Sequence, residues 1–193
     1  MSTPFKLAIT GAHSTGKSTF LDQLEVLATG RGLQVGRIGG LARRARDFGW
    51  PILADHTVES TLWIMAEGLR LEAELSRSCD VILVDRPPLD ALAYLKAGLL
   101  VSGRSVRPER LERLHDLARL STEDYDLVVL TVLDPAVALG NGRDQDVPLR
   151  LAADRYVGEL VAAIAPTATA LRHGGIAEVL TVAEQAIDAR RSS

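Results

Sequence analysis

Two glycines, a lysine and a hydroxyl residue stand at fixed distances in the stretch GAHSTGKST, residues 11–19. Gly11, Gly16, Lys17 and Ser18 fit G-x-x-x-x-G-K-[ST] with no mismatch. Glycines at those points let the backbone curl so that successive N–H groups converge on phosphate oxygens. The start of a following helix adds positive potential at the same place. In such a cradle Lys17 reaches the β- and γ-phosphates and the Ser18 hydroxyl coordinates Mg²⁺. His13, Ser14 and Thr15 fill the variable positions, where backbone amides suffice, and Thr19 completes the expected nucleotide-binding set. A tight turn that happens to contain Gly and Lys is the plain alternative.

A second stretch with chemistry in it is VILVDRPPLDALAYL, residues 81–95. Asp85 ends an apolar run, where its carboxylate would emerge at the carboxyl edge of a sheet beside the phosphates. That position suits a magnesium-linked acid or a base for the attacking group; an aspartate that merely caps the next helix is the alternative. Hydrolytic motor ATPases commonly follow this aspartate with glutamate to polarise water, whereas here Arg86 follows. A fixed cation suits contact with a phosphate or a phosphate acceptor better than activation of water. The chain also lacks N-K-x-D and D-x-x-G, so a GTPase of the Ras type is not expected.

The third stretch is the Gly-rich GNGRDQDVPLR, residues 140–150. A kinase must exclude water and neutralise the charge spread over the moving phosphoryl group. A flap over about 134–150 carrying Arg143 and Arg150 can do both. Arg155 lies further along the next helical pattern and is less committed. A solvated loop followed by a helix with water-facing arginines reads the same letters.

These residues need a scaffold, and the apolar pattern supplies one. Strands are expected at 5–10, 33–38, 81–85, 126–133 and, more weakly, 167–172. The runs at 81–85 and 126–133 are almost continuously apolar, as strands buried on both faces should be. Helices are expected at 17–29, about 57–78, from Pro88, from Pro108, at 148–164 and at 181–190. Alternation of this kind implies an α/β fold with a parallel sheet covered on both faces.

Composition narrows the classes further. The chain has 193 residues and 47% hydrophobic content, enough for one domain with a core that needs no disulfide or metal. A net charge of −3 argues against binding a nucleic-acid polymer or a membrane surface. The lone Cys79 rules out an intrachain disulfide and fits a reducing compartment. With no leader-like start and no apolar run of roughly 20 residues, the expected location is cytoplasmic. Monomer and homodimer both stay open.

Together GAHSTGKST, VDRPPLDALAYL and YDLVVLTVLDPAVALGNGRDQDVPLRLAADRYVGEL resemble the P-loop nucleoside and nucleotide kinase group. More narrowly they are similar to AAA-type ATP-binding proteins related to ribosylnicotinamide kinases. The resemblance runs over most of the chain in order and spacing. It implies a three-layer α/β/α P-loop fold over 1–193, with a five-stranded parallel sheet, a helical acceptor side and a lid. It also implies Mg²⁺ and ATP as phosphoryl donor, with Asp85 magnesium-linked or acting as base and Arg86 on a donor or acceptor phosphate. Ribosylnicotinamide kinases tend to carry an aromatic-x-Arg-Glu segment after the second strand, where this chain has GGLARRARDFGW.

The expected activity is therefore transfer of the γ-phosphoryl group of Mg-ATP to a nucleoside, nucleotide or related metabolite. Lys17, Asp85, Arg86, Arg143 and Arg150 would carry it. A nucleotide-dependent regulatory switch is the competing class. The acceptor is expected between the second strand and the long helix, near Arg43, Arg44, Arg46, Trp50, Asp55 and Glu59. A solvated helix face explains Arg43 and Arg46 equally well. Trp63 and Met65 read as core, and His56 and His173 as surface or capping residues. Gly174 and Gly175 could border an adenine ring or form a simple turn.

Overall fold

The computed structural model describes residues 3–11, 15–132 and 146–192. Five strands, β1 (Phe5–Thr10), β2 (Val35–Ile38), β3 (Val81–Asp85), β4 (Leu127–Thr131) and β5 (Thr169–Leu171), form one parallel sheet. Their order is β2-β3-β1-β4-β5, so β1 lies at the centre with β3 and β4 beside it. The register aligns Ile9 with Asp85 and with Val129, which brings the ends of three strands to one edge.

Side-chain alternation along the strands divides the core into two layers. Phe5, Leu7, Ile9, Val81 and Leu83 point to one face. There they pack against α1 (Lys17–Gly30) and α7 (Ile176–Arg191), through Phe20, Leu24, Leu180 and Ala183. Ala8, Ile38, Ile82, Val84 and Val128 point to the other. That face is covered by α2 (Leu41–Asp47), α3 (Val58–Leu75), α4 (Pro88–Ser102), α5 (Pro108–Thr122) and α6 (Val147–Ile164). This is the three-layer α/β/α arrangement that the alternating apolar runs and helical patterns require.

Local signals explain most boundaries. Prolines open α4, α5 and α6, where a missing N–H costs nothing. Thr57 and Ser60 form a reciprocal capping box at the start of α3. β2 starts at Val35 rather than residue 33, because the Gln34 amide is taken by the Asp80 side chain at 2.8 Å. The last helix starts at Ile176 instead of 181, with Gly175 as its N-cap and Gly174 turning before it with φ +80. α2 and the 3₁₀ turn Leu53–Asp55 add two short elements between β2 and α3.

Candidate functional site

β1 ends at the phosphate loop, and α1 begins with Lys17, so strand and helix hold the loop from both sides. Gly11 has φ +134, and a Cβ there would sit 2.1 Å from Thr131 Oγ1. Only glycine lets the loop leave β1 so close to the end of β4. Thr131 Oγ1 donates to Thr10 O at 3.0 Å and lies 2.5 Å from Thr15 Oγ1. Lys17 is buried, and its Nζ donates to Gly11 O and Thr15 Oγ1, both at 3.0 Å. The ammonium is thereby held over the loop. Ser18 and Thr19 are exposed at the start of α1, and His13 and Ser14 lie outside the described residues.

Asp85 leaves β3 on the same edge. Among the described residues its Oδ1 is buried without a hydrogen-bond partner. Such an atom is costly to hide from water, and a cation or a polar ligand would relieve it. The Ser18 hydroxyl lines the same cavity as Asp85. Two hard oxygen donors beside a phosphate loop fit magnesium, which keeps most of its coordination for water and phosphate. Among the described residues no group of three or more His, Cys, Asp or Glu side chains could hold a metal by itself. A metal here would therefore have to share its coordination with nucleotide phosphates.

Arg86 follows with φ 69, the left-handed region that few non-glycine residues occupy. Its amide bonds to Ile9 O at 3.0 Å, which fixes that turn. The guanidinium lies 5.1 Å from the Tyr94 ring centre. Its Nη1 reaches Gly11 O at 3.4 Å and Asp90 Oδ1 at 3.3 Å. Burial opposes the charge, but Tyr94, Asp90 and Asp85 favour it, and the guanidinium stays protonated.

Asp90 is a site residue that motif reading did not find. It sits in the first turn of α4, 2% exposed, and accepts from Thr10 Oγ1 at 2.5 Å. Burial raises its pKa to about 6 against the opposing pull of Arg86, Thr10 and Lys17. The available signal was a lone acid in an otherwise apolar helix start.

A cavity of about 520 Å³ joins these groups. The phosphate-loop residues Thr15 to Thr19 line it, and so do Asp85, Arg86 and Asp90. Its apolar lining includes Leu41, Leu53, Ile64 and Tyr94, and Arg43 and His56 line it as well. His56 is not a surface residue: it is 3% exposed, and burial, with Arg104 adding to it, lowers its pKa to about 4. The 3₁₀ turn is pressed onto α4 at Gly98, where a Cβ would lie 2.9 Å from Leu53 O. Arg104 fastens it by donating to Ala54 O at 2.6 Å and His56 O at 3.0 Å.

The other acceptor-side candidates point elsewhere. Arg44 pairs with Glu67 and Glu59 with Arg110, each at 2.6 Å. Arg46 lies 4.0 Å from Asp47, and Trp50 packs on the core edge. Trp63 and Met65 are packing residues. Gly174 and Gly175 form the turn into α7 and do not line the cavity.

Arg143 lies outside the described residues, as does most of the expected lid. Arg150 stands in the first turn of α6 and does not line the cavity; among the described residues its Nε and Nη2 are buried without hydrogen-bond partners. One turn on, the Asp154 pKa is raised by burial, while Arg150 and Lys17 pull it down. Arg150 and Lys17 thus both act on the Asp154 carboxyl. Arg155 is exposed and pairs with Glu159 at 2.8 Å.

No curated protein sequence matches the chain. Solved structures do match its fold. Thymidylate kinase from Candida albicans superposes with a TM-score of 0.64 at 17% identity, over 99% of this chain and 94% of its own. Deoxyadenosine kinase from M. mycoides gives 0.64 at 11% identity, over 96% and 100%. The NadR protein in complex with NR gives 0.61 at 14% identity, over 88% of this chain. The chain spans 45% of the length of that protein. The AAA_28 family model, described as an AAA domain, matches residues 6–178. This chain belongs to that AAA domain family and has the P-loop fold of nucleoside and nucleotide kinases.

Proposed function

We propose that this protein is an ATP-dependent small-molecule kinase. One observation carries the reading: the phosphate-loop residues Thr15 to Thr19, Asp85 and Arg86 line one cavity of about 520 Å³ together with the apolar Leu41, Ile52, Leu53, Ile64 and Tyr94. A protein that only hydrolysed or sensed nucleotide would need no such apolar lining beside its phosphate loop. The acceptor would lie against Leu53, His56, Ile64 and Tyr94, with Arg43 at its edge. The family and the folds it shares agree with this, while the acceptor itself is open among nucleosides, nucleotides and related metabolites.

In this reading the loop amides and Lys17 bind and orient the β- and γ-phosphates. Ser18 and Asp85 would hold Mg²⁺, directly or through water, and the ion would neutralise phosphate charge. An acceptor oxygen forms the new bond to the γ-phosphorus as the bond to the bridging oxygen breaks; ADP departs. A hydroxyl acceptor also gives up its proton. Arg86, locked by Tyr94, Asp90 and Gly11, faces the transferred charge without having to reorganise. Arg143 and Arg150 would add further positive charge.

The test is a γ-phosphoryl transfer screen with Mg-ATP across nucleosides, nucleotides and cofactor precursors, with Lys17→Ala as control. Turnover that rises only with one acceptor class, and falls at least roughly a hundredfold in Lys17→Ala, is expected. Steady acceptor-independent hydrolysis stimulated by a protein would favour a regulatory switch instead.

A further inference from the structure

We infer that Asp90 is a positioning residue whose carboxylate draws Arg86 aside and so keeps the neighbouring Asp85 carboxylate free for a divalent cation. This rests on the reading of Asp85 as magnesium-linked.

Arg86 and Asp85 are adjacent in sequence, and Asp85 acts electrostatically on Arg86. An arginine beside an unpaired buried carboxylate should pair with it, because bidentate arginine–carboxylate contacts are strong. Here it does not. Asp85 Oδ1 has no partner, while Arg86 Nη1 goes to Asp90 Oδ1 and Gly11 O. The left-handed turn at Arg86 and its stacking on Tyr94 aim the guanidinium along α4.

Asp90 is built for the task of holding it. Its two oxygens are both engaged, one by Thr10 and one by Arg86, so it is poorly placed to take a proton from an acceptor or to bind metal itself. It stands in the first turn of α4, where the helix dipole favours a negative charge. Thr10 extends the hold to the centre of the sheet. The Thr10 carbonyl accepts from Thr131, whose hydroxyl meets Thr15, which in turn accepts from Lys17 Nζ. A single network thus connects Arg86 to Lys17 and, among the described residues, does not include Asp85.

If Asp90 loses its charge, Asp85 is the carboxylate left, among the described residues, that acts on Arg86. Pairing there would neutralise the carboxylate meant for the cation.

The experiment is calorimetric titration of ATP at a series of Mg²⁺ concentrations, reading the concentration at which ATP binding is half tightened. Asp85→Asn should raise that midpoint at least roughly tenfold, as loss of a metal-linked carboxylate does. Asp90→Asn, which keeps the shape and an acceptor for Thr10, should raise it about as much. In an Arg86→Gln background the same change should shift it less than about twofold, because the competing cation is gone. Asp90→Glu should stay near wild type. Asp90→Ser replaces Asp90→Asn if the latter does not fold. An unchanged midpoint in Asp90→Asn, or an equal shift with and without Arg86, overturns the inference. Asp85→Asn with an unchanged midpoint overturns the magnesium-linked reading of Asp85 and the inference with it.

Discussion

The side-chain hydroxyls of Thr15 and Thr131 lie 2.5 Å apart, so the end of β4 is tied directly to the phosphate loop. Thr131 also donates to Thr10 O, and its backbone blocks any side chain at position 11. Thr131→Val keeps the shape and removes the hydroxyl. We expect the variant to fold and to bind Mg-ATP about five- to tenfold more weakly, the scale of one or two lost hydrogen bonds in a preorganised loop. Calorimetry at fixed Mg²⁺ reads this; a Kd within about twofold of wild type would mean the loop needs no support from β4.

Arg150 separates stability from function. Two of its nitrogens are buried and, among the described residues, unpartnered, a state that destabilises a protein unless a ligand uses it. Arg150→Met should therefore raise the thermal midpoint of the nucleotide-free protein, by several degrees if roughly 1–2 kcal/mol is recovered. The same variant should lower phosphoryl transfer more than ATP affinity, because the contact forms mainly with transferred charge. A lower midpoint together with normal transfer would make Arg150 a packing residue.

Much of this was legible in the letters. β1 and β3 fall where they are expected, and β3 is apolar right up to Asp85 because a strand buried on both faces leaves an unbroken apolar run. That Lys17, Ser18 and Asp85 would come to one cavity was legible, because one strand–loop–helix unit and one strand end place them locally. Asp90 and His56 were not. The sequence shows Asp90 only as an acid in a helix's first turn. Its meaning depends on Thr10, 80 positions away, and on a left-handed residue before the helix. His56 lies in a polar-looking stretch, and it is buried because Gly98 and Arg104, both distant in sequence, press the 3₁₀ turn onto α4. Long-range contacts of that kind leave no local period.

His56 yields the last prediction. Buried at the cavity wall, with Nδ1 3.3 Å from Ser60 Oγ, it is neutral in the folded protein down to about pH 4. In the unfolded chain it takes a proton near pH 6.5. Its contribution to stability is thus fully present above pH 6.5 and is lost as the pH falls from there to about 4. The loss over that window is roughly 3 kcal/mol. His56→Gln cannot titrate, so its denaturation midpoint should fall less between pH 7 and 4.5 than that of the wild type. The carboxylates contribute equally to both. An imidazole NMR titration gives a direct check: His56 should hold its neutral shift at pH 5.5, where an exposed histidine is mostly charged. Titration near 6.5, or parallel pH curves for the two proteins, would show that the imidazole is solvated. If it is neutral as described, the cavity lining offers there a hydrogen-bonding ring with no added cation. That leaves, among the described residues, Arg43 and Arg86 as the arginines lining the cavity that an acceptor would meet.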